Sequence, residues 1–164
     1  MKKVFSELTI GEDGRIVITN ITSRLKREVA SDGSTLKPSD YMPVIKELDN
    51  KNEGSVNALD AIKFLEIHLR TYSHDCTFEL KYIANFIEFK MKNRNTKTFF
   101  ENNSKLRSNT RIMEIEIMTE LNNCFGVPTS IGTKIFKKLA EINKSNFTLD
   151  DLCALIDQHR LVKI

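Results

Sequence analysis

The chain has 164 residues, of which 40% are hydrophobic and 29% are charged, enough apolar material for one ordinary domain or two small lobes. No run of eighteen apolar residues occurs, and Met1–Phe5 is not followed by a signal-peptide core, so we expect neither a membrane span nor a secretory leader. Cys76, Cys124 and Cys153 are scattered and odd in number, which is typical of a reducing compartment. We therefore expect a cytoplasmic protein.

Apolar residues recur at helical spacing over most of the chain, which predicts a mainly α fold. The predicted helices are residues 55–71, 77–91, 112–125, 129–142 and a last helix that begins at residues 148–151. Strand signals are sparse, because only residues 15–19 are rich in β-branched side chains. In isolation, residues 4–20 could form a β-hairpin.

A basic segment interrupts this pattern at residues 90–111. It contains seven Lys and Arg residues and one acidic residue, Glu101, so its net charge is +6. The basic residues are Lys90, Lys92, Arg94, Lys97, Lys105, Arg107 and Arg111. Two interpretations stay open: a solvated insertion, or a contact with an acidic partner or nucleic acid.

Residues 49–60 match the frame of the twelve-residue EF-hand loop. Asp49 falls at position one, Gly54 at the sharp turn of position six, and Asp60 at position twelve. Val56 falls at position eight, the buried strand residue that pairs with a partner loop. Apolar residues frame the loop on both sides, so the match is stronger than a lone acidic-glycine pattern.

The same frame recurs three times, with Ile16, Ile112 and Phe147 at position eight. Position eight of the first loop precedes that of the second by 40 residues, and the third precedes the fourth by 35. A repeat of this period predicts paired helix–loop–helix units, none of which can bury its apolar face alone.

These frames, together with the connector Leu121–Thr129, resemble the calmodulin and myosin-light-chain family. The resemblance implies paired degenerate EF-hand units in two lobes: an N-terminal lobe over residues 1–74 and a C-terminal lobe over residues 105–164. Residues 75–104 depart from the family and are interpreted as a helical, basic connector.

Calcium requires six to eight oxygen ligands, several of them anionic, and no loop offers a full set. The third loop carries Lys105 and Arg107, and the fourth carries Ala140, where acids are expected. Only the second loop is a candidate for weak calcium binding, despite Lys51 at a ligand position. Its ligands would be Asp49, Glu53, Asn57 and Asp60, although Asp49 and Asp60 could instead simply cap helices.

The resemblance implies that the chain is a binding subunit, largely independent of calcium, whose lobes clasp an amphipathic helix of a larger protein, such as an IQ-type helix of a myosin heavy chain. Such a light chain would be associated with the cytoskeleton. The residues expected to contact that helix are Met42, Ile45, Phe64, Leu65, Met113, Ile117, Leu121, Phe136 and Leu155.

Catalytic chemistry is not expected, because no nucleophile, base and orienting group share a recognisable pattern. Glu114, Glu116 and Glu120 share one predicted helix and are interpreted as a solvated face. Besides the binding subunit, three alternatives stay open. They are a calcium sensor that uses loop 49–60, a nucleic-acid binder that uses residues 90–111, and a helical regulator or inhibitor of a host protein in which residues 4–20 form a hairpin.

Overall fold

Helices dominate the computed structural model, which describes residues 2–29, 32–68, 75–143 and 146–160. The helices in this part of the chain are α1 (Lys2–Glu7), α2 (Ile18–Arg27), α3 (Pro38–Leu48), α4 (Ala58–His68), α5 (Thr77–Asn85), α6 (Thr96–Asn103), α7 (Glu114–Phe125), α8 (Thr129–Asn143) and α9 (Leu149–Asp157). A π-helical turn, Phe86–Lys90, directly continues α5. None of the helices in the described ranges is long and apolar enough to cross a membrane.

Two short strands, β1 (Arg15–Val17) and β2 (Ser55–Asn57), form an antiparallel pair in which Ile16 lies opposite Val56. The side chains of Ile16 and Val56 are buried, whereas Val17 is 48% exposed, as the alternation of a half-buried strand requires. Backbone hydrogen bonds of 2.9 Å extend the pairing on both sides, from Ile18 N to Gly54 O and from Ala58 N to Gly14 O. The ladder therefore joins the first and second loops at their centres.

The alternative of a hairpin within residues 4–20 is wrong. Residues Lys2–Glu7 form α1, and β1 pairs with β2, some forty residues away, rather than with its own neighbours. Val4 and Phe5 are buried, so burial on one side of a helix outweighs any local preference of this segment for extended structure.

The third and fourth loops also meet through the backbone, because Ile112 N donates to Phe147 O at 3.1 Å. Both side chains are buried. This pairing explains why α7 begins at Glu114 rather than at residue 112, and the β1–β2 ladder likewise delays α4 to Ala58. Residues 69–71, the end of the predicted helix 55–71, lie outside the described residues.

Helix α5 packs against α1 and α4 of the first half and against α9 of the second half. Its buried residues are Phe78, Glu79, Leu80, Tyr82, Ile83, Ala84 and Asn85, and Ile87 of the π-helical turn is buried as well. Residues 1–74, 75–104 and 105–164 all contribute side chains to one continuous core. The segment interpreted as a connector is thus central to the packing.

The ladder should contribute measurably to stability through Ile16. We expect Ile16→Ala to lower the free energy of unfolding by about 2–4 kcal/mol, because it removes fully buried atoms and leaves a cavity. The matched control is Val17→Ala on the same strand, whose exposed side chain should cost less than about 0.5 kcal/mol. Urea unfolding followed by circular dichroism measures both. Equal losses for the two variants would contradict this account.

Candidate functional site

The second loop, residues 49–60, is organised by the side chains of Asp49 and Asn57. Asp49 accepts the backbone N–H of Glu53 on Oδ1 and that of Gly54 on Oδ2, each at 3.0 Å. Asn57 Oδ1 accepts the N–H of Leu59 at 2.8 Å and that of Asp60 at 3.4 Å, so it satisfies the first amides of α4. The cap of α4 is therefore Asn57, and the expectation that Asp60 could cap a helix is corrected.

A cation of the chain itself lies against this loop. Arg15 Nη2 contacts Glu53 Oε2 at 2.7 Å and Ser55 O at 2.9 Å, and its Nε donates to Ser55 Oγ at 2.8 Å. The guanidinium reaches the loop because Arg15 lies on β1, within the register that pairs Ile16 with Val56. A positive charge is thus already placed on the carboxylate of Glu53.

The second loop does not fit Ca²⁺. Both Asp49 oxygens hold backbone amides, Glu53 is engaged by Arg15, and Lys51 stands at a ligand position. Within the described ranges, no three His, Cys, Asp or Glu side chains converge on a point where a metal ion could be held. A dication would have to compete with the guanidinium for the same carboxylate.

The side chains predicted to contact a partner helix lie mostly in the core of the chain. Five are buried: Ile45, Leu65, Ile117, Leu121 and Leu155. Met42 and Phe136 are partly buried and pack against that core. Phe64 is half-buried and stacks on His68, with ring centroids 4.4 Å apart, whereas Met113 is 48% exposed.

Helix α5 fills the space between the two halves. Its side chains bond to both: Asn85 Nδ2 donates to Gly11 O at 3.0 Å, and Tyr82 Oη donates to Phe125 O at 3.2 Å. Lys81 Nζ also donates to Ser6 O. The aromatic ring of Phe78 in α5 packs on that of Phe5 in α1, with ring centroids 5.4 Å apart. Both halves therefore hold a helix, and this helix belongs to the chain itself.

No protein-family model matches the chain, and no curated protein or solved structure matches it at a significant level. The resemblance to the calmodulin and myosin-light-chain family therefore rests on the residues and geometry of this chain alone.

The basic residues of segment 90–111 are spread from the π-helical turn, through α6, to the loop before α7. Lys97 contacts Asp150 at 3.0 Å, and the hydrogen bond and charge of Asp150 raise the pKa of Lys97. Lys90 Nζ lies 5.0 Å from the centroid of the Phe86 ring, and Arg107 Nη1 donates to the carbonyls of Ser104 and Leu106. Lys92, Arg94, Lys105 and Arg111 are exposed.

Three features escaped the sequence analysis. The central burial of α5 was one of them, although nine of the fifteen residues 77–91 are apolar, which was a partial signal that more than one face of the predicted helix is covered. The contact of Arg15 with the second loop was inferable once Ile16 was paired with Val56. Glu120 is 7% exposed, so the interpretation of a wholly solvated glutamate face is wrong at that position. No sequence signal distinguishes Glu120 from Glu116.

The contact of Arg15 with the second loop should be modestly stabilising. We expect Arg15→Gln to lower the free energy of unfolding by about 1 kcal/mol or less, since both partners are partly exposed. In 1 M salt, the difference from the wild-type chain should shrink as the ion pair is screened. Lys51→Gln, an exposed change in the same loop, is the control for altered net charge. Equal effects of the two variants in urea titrations would refute a specific role for Arg15.

The contact of Tyr82 with Phe125 should respond to alkaline pH. Burial raises the pKa of Tyr82 to about 12, and the charge of Asp60 adds to this. The folded state therefore keeps the phenolic proton where the unfolded chain, with an ordinary pKa near 10, has begun to lose it. This contribution to stability is complete below that ordinary pKa and is lost as the pH rises towards the folded value.

Tyr82→Phe removes both the hydrogen bond to Phe125 O and the titrating group. It should cost about 1 kcal/mol at pH 8, and this deficit should narrow as the pH approaches the folded-state value. Unfolding in urea at a series of alkaline pH values measures the difference in the free energy of unfolding. The cysteines are present in both chains, so their contribution cancels in this comparison. A difference that does not change with pH would contradict the proposed titration of Tyr82.

Proposed function

We propose that the chain is a constitutive protein-binding subunit built from four degenerate EF-hand-like units, which recognises a basic amphipathic segment of a larger protein without calcium. The observation that carries the proposal is the pairing of the loops at position eight. Ile16 lies opposite Val56, and Ile112 bonds to the backbone of Phe147. Each pairing joins two residues that the loop frames place at equivalent positions.

The arrangement of helices around each loop supports the EF-hand-like units. The first loop lies between α1 and α2, the second between α3 and α4, the third between α6 and α7, and the fourth between α8 and α9. Coupled pairs of helix–loop–helix units bury apolar faces that a single unit would leave in water. Helix α5 is the element that has no counterpart in this scheme.

Independence from calcium is supported by Arg15. In a calcium-loaded loop the metal neutralises the carboxylates and draws the loop together. In the second loop, the Arg15 guanidinium pairs with Glu53 and bonds to Ser55, which links β1 to the loop by a contact that needs no metal. The loop pair is therefore held in the same form at low and high calcium.

The buried position of α5 favours a partner that binds outside the core. Removing α5 would expose Phe78, Leu80, Tyr82, Ile83 and Ile87, which are all buried. At about 1.5–3 kcal/mol for each side chain, the cost is on the order of 10 kcal/mol, comparable with the whole stability of a domain. A light-chain-like clasp around a partner helix requires this displacement, so we favour recognition on the outer surface.

The test is affinity capture with the full chain from its source cells, in parallel with EGTA and with millimolar calcium. The bound segment of the captured protein is then synthesised as a peptide and titrated by calorimetry. We expect a basic, amphipathic segment whose Kd is the same within about twofold in the two conditions, because no metal site is involved.

Each alternative predicts a different outcome. Binding seen only with calcium would contradict the proposal in favour of a sensor that uses loop 49–60. Capture of polynucleotide with a steep salt dependence, lost when the basic residues of segment 90–111 become Ala, would favour the nucleic-acid binder. A partner segment that is acidic or non-helical would also overturn the proposal, in favour of a regulator or inhibitor of a host protein.

A further inference from the structure

A surface groove of about 340 Å³ lies along the outer side of α7. It is lined by Lys105, Leu106, Ile115, Glu116, Thr119 and Glu120. Leu106 is buried, whereas Ile115 is 64% exposed, so the groove offers apolar surface to a ligand. None of the residues predicted to contact a partner helix lines it.

The packing of α7 on α8 leaves Ile115 and Thr119, on the groove side of α7, exposed. Gly132 of α8 lies so close to α7 that a Cβ atom on Gly132 would stand 2.6 Å from Met118 Cα. Glu116 lies two residues before Met118, and Glu120 lies two residues after it. Each is therefore about half a helical turn away from Met118, on the side of α7 that points away from Gly132. The close approach at Gly132 therefore directs one side of α7 inwards and the glutamates to the groove.

Glu120 is the unusual member of the groove. Its residue is only 7% exposed, yet among the described residues no hydrogen bond or ion pair engages its carboxylate. Its charge acts on the thiol one turn further along: burial raises the pKa of Cys124 to about 11, and Glu120 adds to that rise. An acidic side chain that is so largely buried is normally paired, and the Glu120 carboxylate instead keeps its remaining contact with solvent at the groove.

The other charged groups at the groove do not supply that partner. Lys105 lies on the lining and is exposed, and in the described part of the chain it makes no ion pair with Glu116 or Glu120. Glu116 is half-buried beside Glu120 and adds a second negative charge. Apolar walls with two carboxylates, one of them largely buried, are complementary to a cation on an apolar support.

We propose that this groove is a docking site for a basic amphipathic segment of a partner protein, whose Lys or Arg side chain pairs with Glu120 while its apolar residues cover Leu106 and Ile115. The inference rests on the proposed function and gives the location of its binding surface. The amphipathic segment would bind along the groove with its apolar side, and one charge-assisted hydrogen bond to Glu120 would fix its register.

The probe is a synthetic helical peptide of Leu and Ala with one central Lys, compared with the same peptide that carries norleucine at that position. Binding to the full ¹⁵N-labelled chain is followed by NMR. We expect the Lys peptide to shift the amide signals of Leu106, Ile115, Thr119 and Glu120. We also expect it to bind about tenfold or more tightly than the norleucine peptide, as a hydrogen-bonded charge pair provides.

The decisive variant is Glu120→Gln, which keeps the shape and removes the charge. It should abolish the preference for Lys over norleucine, while Ile115→Ser should weaken both peptides alike. Glu114→Gln, an exposed change in the first turn of α7 that does not line the groove, is the matched control and should alter neither affinity. A preference for Lys that survives in Glu120→Gln, or shifts that map to α5 instead, would overturn the proposal.

The stability of the free chain gives a second readout that needs no ligand. Because no described group pairs with the Glu120 carboxylate, Glu120→Gln should leave the Tm unchanged or raise it by about 2–4 °C. A fall in Tm would mean that the carboxylate stabilises the fold itself, and would count against a docking role.

The two proposals fail separately. If the captured partner binds Glu120→Gln as tightly as the wild-type chain, the groove is refuted and the binding subunit stands. If no calcium-independent partner is captured while the Lys peptide still discriminates at Glu120, the groove stands as a cation-recognising site and the proposed function is refuted.

Discussion

The burial of α5 between the two halves of the chain is the constraint on which the rest of the structure depends. Its apolar side chains meet α1 and α4 on one side and α9 on the other, and the polar atoms of Tyr82 and Asn85 bond to the backbone of Phe125 and Gly11. A helix whose residues are buried on most sides must be covered by several other elements. The two loop pairs are consequently held against a common helical centre rather than on separate lobes joined by a tether.

For the proposed binding subunit, this arrangement limits where a partner could bind. The side chains that the resemblance predicted to contact a partner helix are mostly buried within the chain, so the proposal places the contact surface elsewhere. The outer side of α7, with Ile115 exposed and the Glu120 side chain largely buried but unpaired among the described residues, is a surface where apolar area and unbalanced charge coincide. The contact of Arg15 with Glu53 links β1 to the second loop without a metal ion, which supports the proposed independence from calcium.

The buried polar contacts show how the segment interpreted as a basic connector is joined to the C-terminal half. Arg160 Nη2 donates to Thr96 Oγ1 at 2.7 Å, its Nε contacts Asp157 at 2.9 Å, and its Nη1 lies 3.6 Å from Glu88. These groups belong to the start of α6, the region of α9 and the π-helical turn. Removing one partner of such a network would leave the buried Arg160 guanidinium less fully paired, so these contacts bind segment 75–104 to the C-terminal half although its sequence is rich in Lys and Asn.

The sequence by itself determined the helical class and which residues meet across the loops. Ile16 and Val56 were identifiable because their loop frames combine a turn glycine with apolar residues at fixed distances. Ile112 and Phe147 followed from the apolar spacing alone, and both kinds of signal are local. Only the tertiary structure decided that α5 occupies the interior, that Arg15 contacts Glu53, and that Glu120 is buried whereas Glu116 is half-buried. Each of these depends on which surfaces pack together. The periodicity of one segment predicts that one of its faces is buried, but it does not predict which segment of the chain packs against that face.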